Sequence, residues 1–375
     1  MKLLITGVNG FVGRNLQQHL AERRDVETVC LTRDDPLDSI DEKLRGVDCV
    51  IHLAGVNRPQ DPAEFEAGNH RLTVALADAL KRRRAAGQQP VRLAFASSIQ
   101  AALDNPYGAS KRAAEQTLIE AQRSGAIEVA IYRLPNVFGK WCKPNYNSAI
   151  ATFCHNIARD LPIAVNDPAA PLRLVYVDDV IAALVAFADG LSPQAGTDGF
   201  AIVSPEYHAT VGEAESVLRA FRASRETLVT EAVGLGLTRA LYSTYVSYLP
   251  CNEFSYPVPM HGDPRGVFVE ILKTRDSGQF SYFTAHPGVT RGGHYHHSKT
   301  EKFLVIKGHA CFRFRHLSTG EEYALNTSGN CAEIVETVPG WTHDITNIGD
   351  DEMVVMLWAN EIFDRDRPDT YACPL

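Results

Sequence analysis

Over its first hundred residues the chain alternates short apolar runs with longer segments of helical periodicity. Lys2–Thr6, Val26–Leu31, Cys49–Leu53 and Val91–Ala96 read as buried strands. Between and after them, Phe11–Arg23, Glu64–Arg84 and Tyr107–Arg123 carry apolar residues at helical spacing, and Val129–Tyr132 continues the strand series. Strands alternating with helices predict βαβ units and a parallel sheet. Beyond Asn136 the pattern loosens, but Ser148–Arg159, Asp179–Ala188 and Val211–Ala223 still read as helices and predict a small cap. From Tyr242 to Gly266 there are four prolines and little periodicity, as in a linker. Thereafter Val267–Leu272, Phe280–Ala285, Phe303–Ile306, Ala310–His316, Glu321–Leu325 and Met353–Trp358 form short apolar runs between turn residues, as in an all-β barrel or jelly roll. The expected organisation is an α/β domain with its cap over 1–245, a linker over 246–265 and a β domain over 266–375.

Composition narrows the function. The 375 residues are 45% hydrophobic and 22% charged, an ordinary globular balance, and enough for two cores. A net charge of −8 offers no basic surface to a phosphate backbone, so nucleic acid is excluded as a partner. No apolar stretch reaches the roughly 18–20 residues of a membrane span, and the N-terminus lacks the apolar core of a signal peptide, so no membrane partner is expected. Eight cysteines without a CxxC pair read as reduced residues of a cytoplasmic protein. Eight of the thirteen histidines lie beyond residue 250, a first sign that the two halves differ in chemistry.

The N-terminal chemistry begins at Thr6-Gly7-Val8-Asn9-Gly10-Phe11-Val12-Gly13, directly after the first strand and opening the first helix. Bare backbone there lets a pyrophosphate reach the helix N-terminus. The GxxGxxG spacing resembles the short-chain dehydrogenase/reductase superfamily, and the leading Thr6 resembles its extended branch, which acts largely on nucleotide sugars. The resemblance implies a Rossmann-type doubly wound sheet, with Gly7, Asn9, Gly10, Phe11, Val12 and Gly13 around the cofactor. Leu53 and Ala54, which follow His52 at the end of a strand, would run alongside it. Twenty residues after Gly13, where an acidic residue would hold the ribose of NAD, stands Arg33, which favours a 2′-phosphate and hence NADPH.

Tyr107 and Lys111 lie four apart on a predicted helix and so share one face. They follow a strand ending in Ser97-Ser98. By the same resemblance Lys111 holds the nicotinamide ribose and lowers the Tyr107 pKa, Tyr107 exchanges a proton with the sugar oxygen, and Ser98, or its neighbour Ser97, hydrogen-bonds that oxygen. Arg133-Leu134-Pro135-Asn136-Val137-Phe138-Gly139 resembles the segment that turns between cofactor and sugar nucleotide in extended members, with Asn136 as its polar contact. Arg173, just before Val175-Tyr176-Val177-Asp178-Asp179, resembles the arginine that grips a substrate diphosphate. Asn147 is a further candidate sugar or phosphate contact by position.

In the C-terminal part, Gly288, His294, His296, Glu301 and Gly308 followed by Pro339-Gly340 and His343 through Asn347 resemble the two cupin motifs. An HxH pair on a strand points to one face and can chelate one ion. Glu301 and His343 complete a three-histidine, one-carboxylate set for a divalent metal, with zinc expected, and His297 is expected to face outward. Asp263-Pro264-Arg265-Gly266-Val267-Phe268-Val269-Glu270 and Arg291-Gly292-Gly293-His294-Tyr295 also resemble the deoxysugar 3,5-epimerase branch, in which this strand binds nucleotide phosphates, making Arg265 a substrate candidate. In that branch the histidine corresponding to His294 is a metal-free base. A metal-bound imidazole cannot take a proton through the same nitrogen, so the base is expected to be another group, His286 or a metal-bound hydroxide.

An extended reductase followed by a cupin resembles the capsular polysaccharide synthesis enzyme F family over essentially the whole chain. The resemblance implies C3 epimerisation of a UDP-2-acetamido-2,6-dideoxy-4-ketohexose in the cupin, then NADPH-dependent C4 reduction to UDP-2-acetamido-2,6-dideoxy-β-L-talose in the N-terminal domain, by a cytoplasmic homodimer. A one-step nucleotide-sugar reductase or 4-epimerase with the cupin as dimerisation module is the alternative enzyme. A redox sensor that binds NADPH without turnover is the non-enzymatic alternative.

Overall fold

The computed structural model describes all residues except 58, 60, 62, 260, 264, 265, 269, 270, 275–277 and 362–365. The described residues divide into two compact units, Met1–Val137 with Arg173–His208, and Phe138–Leu172 with Ala209–Leu375.

The first unit is built on five parallel strands: β1 (Lys2–Thr6), β2 (Glu27–Leu31), β3 (Cys49–His52), β4 (Val91–Ser98) and β5 (Ile127–Leu134). Their spatial order is β2-β1-β3-β4-β5. Helices Phe11–Ala21 and Val177–Ala188 associate on one side, Leu72–Ala85 and Pro106–Arg123 on the other, giving the expected doubly wound α/β layering. With both faces covered, β1 and β3 are apolar and buried along nearly their whole length, which is why they read as continuous runs. Leu4, Val50, Leu93 and Phe95 pack with Leu76, Leu80 and Leu118 in one core. The segment expected as one helix over 64–84 carries a π-turn at Glu66–Arg71 that shifts its register before Leu72.

In the second unit two five-stranded antiparallel sheets form a cupin-like barrel. One runs in the order Ser255–Pro257, Glu333–Glu336, Glu301–Lys307, Met353–Ala359, Gln279–Ala285. The other runs Glu322–Ser328, His309–His316, Trp341–Asn347, Thr290–Tyr295, Tyr371–Ala372. The same unit holds helices Ala149–Ile157, Val211–Thr227 and Gly236–Val246. The last was missed by periodicity, because Ala240 through Val246 are all buried, the polar Ser243 and Thr244 included. Part of the stretch expected as a linker is structured: Cys251–Glu253 forms a 3-10 turn, and Ser255–Pro257 is a strand paired with Glu333–Val335. Helix and barrel are joined by a buried ionic cluster in which Glu336 pairs with Lys302 and Arg225, and Lys302 also donates to the Tyr256 hydroxyl at 2.9 Å. Among the described residues no helix is long and apolar enough to cross a membrane.

Candidate active site and metal centre

The glycine turn owes its sequence to close approach. Gly7 has φ +73°, and a Cβ on it would lie 2.6 Å from the Ala54 nitrogen, so any side chain would push the turn off the end of β3. A Cβ on Gly13 would lie 2.2 Å from the Gly7 carbonyl oxygen. Only glycine lets helix Phe11–Ala21 start this tightly against the turn, leaving its first N–H groups available to a phosphate.

A chain of buried polar groups ties this turn to the helix bearing Tyr107. Thr73 Oγ1 donates to the Asn69 carbonyl at 2.8 Å, so the bond between Thr73 and His52 Nε2, also 2.8 Å, must run from His52 Nε2–H. His52 Nδ1 is therefore an acceptor, and the Thr6 hydroxyl donates to it at 2.7 Å. The same hydroxyl oxygen accepts from the backbone N–H groups of Leu53 and Ala54 at 3.2 and 3.0 Å. Complete burial lowers the His52 pKa to about 3, so the ring is neutral, as this pattern requires. Farther along, Asn69 donates to Ser110 Oγ at 2.9 Å and accepts from Val56 N–H at 2.6 Å, while Ser110 Oγ donates to the Tyr107 carbonyl at 2.8 Å. Asn69 and Thr73, and the partners of His52, escaped the sequence reading. Their only local trace is polarity at positions a helix or strand would bury, and apart from the Thr73–Asn69 bond their partners lie 13 to 46 residues away.

The two serines separate cleanly. Ser97 is buried and its hydroxyl donates to the Glu115 carboxylate, which Arg133 clamps with two bonds of 3.0 and 2.7 Å. Ser98, one residue on and on the opposite face of β4, hydrogen-bonds Tyr107 and accepts from Gln100 N–H at 3.2 Å. Tyr107 packs against Phe65 with ring centroids 5.8 Å apart. Lys111 is 5% exposed, donates to the Ala96 carbonyl at 2.9 Å and lies over the Phe95 ring. Burial lowers the Lys111 pKa to about 8, opposed by Glu115. The expectation that Lys111 depresses the Tyr107 pKa is corrected here: burial raises the phenol, and only its hydrogen bond with Ser98 opposes the rise. A phenol held protonated is suited to giving a proton away.

The remaining candidates of this unit are more open. Arg33 is exposed, whereas Asp35 accepts from Thr32 N–H at 2.8 Å and pairs with Lys43 at 3.0 Å, committing the nearby carboxylate to the turn. Asn136 donates to the Arg173 carbonyl at 3.1 Å. Arg173 itself forms two bonds to Glu206, at 2.6 and 3.0 Å, so the guanidinium expected for a diphosphate is engaged with a carboxylate.

In the second unit His294, His296, Glu301 and His343 converge, with one ligand atom from each lying within 4.8 Å of the others. A bulge at Gly292–His294, made with positive φ at Gly292 and Gly293, turns His294 opposite His343 on the neighbouring strand. His296 Nδ1 donates to the Asp369 carbonyl at 2.6 Å, which leaves the Nε2 lone pair facing Glu301 Oε2 at 3.1 Å. Two acceptors so placed need a proton or a cation between them. Both ring nitrogens of His343 are buried; Nε2 faces Glu301 Oε2 at 3.6 Å, and Nδ1 has no hydrogen-bond partner. Burial lowers the His294 pKa to about 4, with His343 and His296 adding to the effect, and burial likewise lowers His343. Burial also acts to raise the Glu301 pKa, but the adjacent histidines outweigh it and hold the carboxyl well below its ordinary range. Three imidazoles gathered around a carboxylate, in a buried site, are a donor set that fits a divalent metal.

His297, expected to face outward, is instead 5% exposed and packs against Tyr295 and Tyr371, because the chain leaves the strand at Tyr295 and alternation ends there. His286 is exposed in the turn after Gln279–Ala285, and Asn147 is exposed just before helix Ala149–Ile157. Arg265 lies outside the described residues.

Residues 3–197 match the NAD dependent epimerase/dehydratase family, and residues 261–371 match the polysaccharide biosynthesis C-terminal domain. The chain is 60% identical over 373 residues to a UDP-2-acetamido-2,6-beta-L-arabino-hexul-4-ose reductase of Pseudomonas aeruginosa, covering 100% of this chain and 98% of that one. Among solved structures it resembles the capsular polysaccharide assembling protein CapF from Staphylococcus aureus, with 42% identity, a TM-score of 0.68 and full coverage of both chains. UDP-glucuronic acid 4-epimerase from Bacillus cereus, 16% identical with a TM-score of 0.53 over 66% of this chain and 98% of that one, shares the fold. With whole-length identity on one side and the joined glycine turn, Tyr107–Lys111 pair and histidine barrel on the other, the chain belongs to the NAD dependent epimerase/dehydratase family and, within it, to the capsular polysaccharide synthesis enzyme F family.

Proposed function

We propose that the chain is a bifunctional nucleotide-sugar enzyme. The barrel epimerises C3 of a UDP-2-acetamido-2,6-dideoxy-4-ketohexose, and the N-terminal unit reduces the C4 ketone to give UDP-2-acetamido-2,6-dideoxy-β-L-talose for capsule or O-antigen synthesis. The observation that carries the reductive half is the Ser98–Tyr107–Lys111 group, in line with the activity named for the Pseudomonas relative. NADPH, when bound, supplies the hydride for C4. Tyr107, kept protonated by burial, gives its proton to the carbonyl oxygen as negative charge builds there, and Ser98 hydrogen-bonds the same oxygen. Lys111 would hold the nicotinamide ribose. Gly7, Asn9, Gly10, Phe11, Val12 and Gly13 line the pyrophosphate, with Leu53 and Ala54 beside the dinucleotide. Exposed Arg33, with Asp35 turned away, supports preference for the 2′-phosphate.

His294, His296, Glu301 and His343 would hold one zinc, which when bound supplies a Lewis acid that polarises the C4 ketone and acidifies the adjacent C3–H. Arg173 would meet the diphosphate by exchanging Glu206 for it, with Asn136, Asn147 and Arg265 as further contacts. The working assembly is a cytoplasmic homodimer, which the exposed Phe280 and Tyr282 on a barrel edge strand favour.

The test is NADPH oxidation in D2O with a UDP-4-keto-6-deoxy-N-acetylhexosamine, reading deuterium in the product by mass spectrometry. Oxidation with deuterium at C3 is expected. Turnover without deuterium would reduce the barrel to a dimerisation module, and absence of oxidation would remove the substrate assignment.

A further inference from the structure

Outside the four candidate ligands, Asp369 bonds both to a ligand ring and to the turn that follows it. Asp369, at φ +37°, belongs to the segment that follows the last long strand of the barrel. Its main-chain carbonyl accepts from His296 Nδ1–H. Its carboxylate accepts the N–H groups of the three residues that follow His296: His297 at 2.9 Å, Ser298 at 3.0 Å and Lys299 at 2.7 Å, together with the Ser298 hydroxyl at 3.1 Å. Lys299 closes the clamp from the other side, its Nζ donating to the Pro368 carbonyl at 3.1 Å and to Thr370 Oγ1 at 2.7 Å. Two residues on, Tyr371–Ala372 pairs with the strand carrying the first ligand, Ala372 standing opposite His294. One short segment thus holds both members of the HxH pair, His294 through the ladder and His296 through a carbonyl.

We infer that Asp369 is a positioning residue of the metal centre: it selects the His296 tautomer whose Nε2 lone pair faces Glu301 and fixes the turn from which that ring projects. The inference rests on the metal reading given above. The physical case is specific. An imidazole whose Nδ1–H points at a carbonyl has only Nε2 to offer an ion, and its ring can no longer rotate freely. The carbonyl alone would not stay in place, because left-handed backbone is costly for a non-glycine residue. The carboxylate offsets that cost by gathering three backbone donors and the Ser298 hydroxyl.

The experiment titrates full-length, metal-stripped protein with Co(II) against a competing chelator and follows the visible absorption of the bound ion. It compares wild type with Asp369→Ala, Asp369→Asn and His343→Ala. Asp369→Ala is expected to weaken Co(II) binding about ten- to a hundred-fold and to alter the absorption bands, as loss of an outer partner of a ligand does. Asp369→Asn, which tolerates left-handed backbone and keeps one acceptor, should lose less, while NADPH binding to the same protein stays unchanged. Wild-type affinity and spectrum in Asp369→Ala would overturn the inference and leave Asp369 a purely structural strap. If Asp369→Ala does not fold, Asp369→Asn decides: unaltered affinity and bands overturn the inference, and weakened binding with altered bands supports it. A different failure marks the underlying reading: if wild type binds no Co(II), or His343→Ala binds it equally well, there is no metal centre for Asp369 to position.

Discussion

Replacing Thr6 by valine tests the buried polar chain at its hub, with little change in volume. The Thr6 hydroxyl donates to His52 Nδ1 and accepts from Leu53 and Ala54 N–H, and Thr6 and His52 are both fully buried. Leu53 N–H also reaches the Thr6 carbonyl at 3.3 Å, so it keeps a partner in the variant. Two groups are orphaned, Ala54 N–H and His52 Nδ1. At about 1–3 kcal/mol for each buried unsatisfied group, Thr6→Val should cost about 3 kcal/mol, whereas Thr6→Ser, which keeps the hydroxyl and loses a methyl, should cost about 1 kcal/mol. Calorimetry of the full chain with and without NADPH reads this directly, because the transition that moves with cofactor reports the first unit. Cofactor affinity should fall in Thr6→Val as well, since Ala54 is the residue packed on Gly7. Thr6→Val as stable as Thr6→Ser would refute the reasoning and show that the chain of hydrogen bonds contributes nothing net.

Gly13→Ala places a Cβ 2.2 Å from the Gly7 oxygen and should abolish NADPH binding in a fluorescence titration, with a Tm below that of wild type. Lys111→Met should lose turnover without loss of stability at pH 7. The folded-state pKa of Lys111 is about 8 against an ordinary 10.5, so between these values the unfolded chain binds the extra proton and wild-type stability rises with pH, a slope the variant should lack in chemical denaturation. His52 has the same sign at lower pH: with a folded pKa of about 3 against 6.5, its contribution to stability is lost as pH falls through that window. Arg133→Met strips the buried Glu115 carboxylate of its ion-pair partner, leaving it the Ser97 hydroxyl, and should cost about 3 kcal/mol in urea unfolding, while Ser98 and Tyr107 keep their contact.

What the sequence determined by itself was whatever is written in local pattern. β1 is predicted to the residue, β3 and helix Pro106–Arg123 to within one, because both faces of a parallel sheet are buried and a helix with a single buried stripe shows its period. The glycine turn, the Tyr107–Lys111 spacing and the HxH run are legible for the same reason: each brings its groups together through one element's own geometry. Tertiary structure decided everything that depends on what lies opposite. It separated Ser97 from Ser98, because only the packed sheet brings Glu115 and Arg133 to the first and Tyr107 to the second. It buried His297, since strand alternation ends at Tyr295 and a later segment carrying Asp369 and Tyr371 closes over the turn. It set the pKa of Tyr107 above its ordinary value and that of Lys111 below it, because desolvation depends on the whole enclosure of a group and not on its neighbour four residues away. Helix Gly236–Val246 shows why: from Ala240 to Val246 every residue is buried, Ser243 and Thr244 included, so that stretch of sequence does not record which way it faces, and only its neighbours in space do.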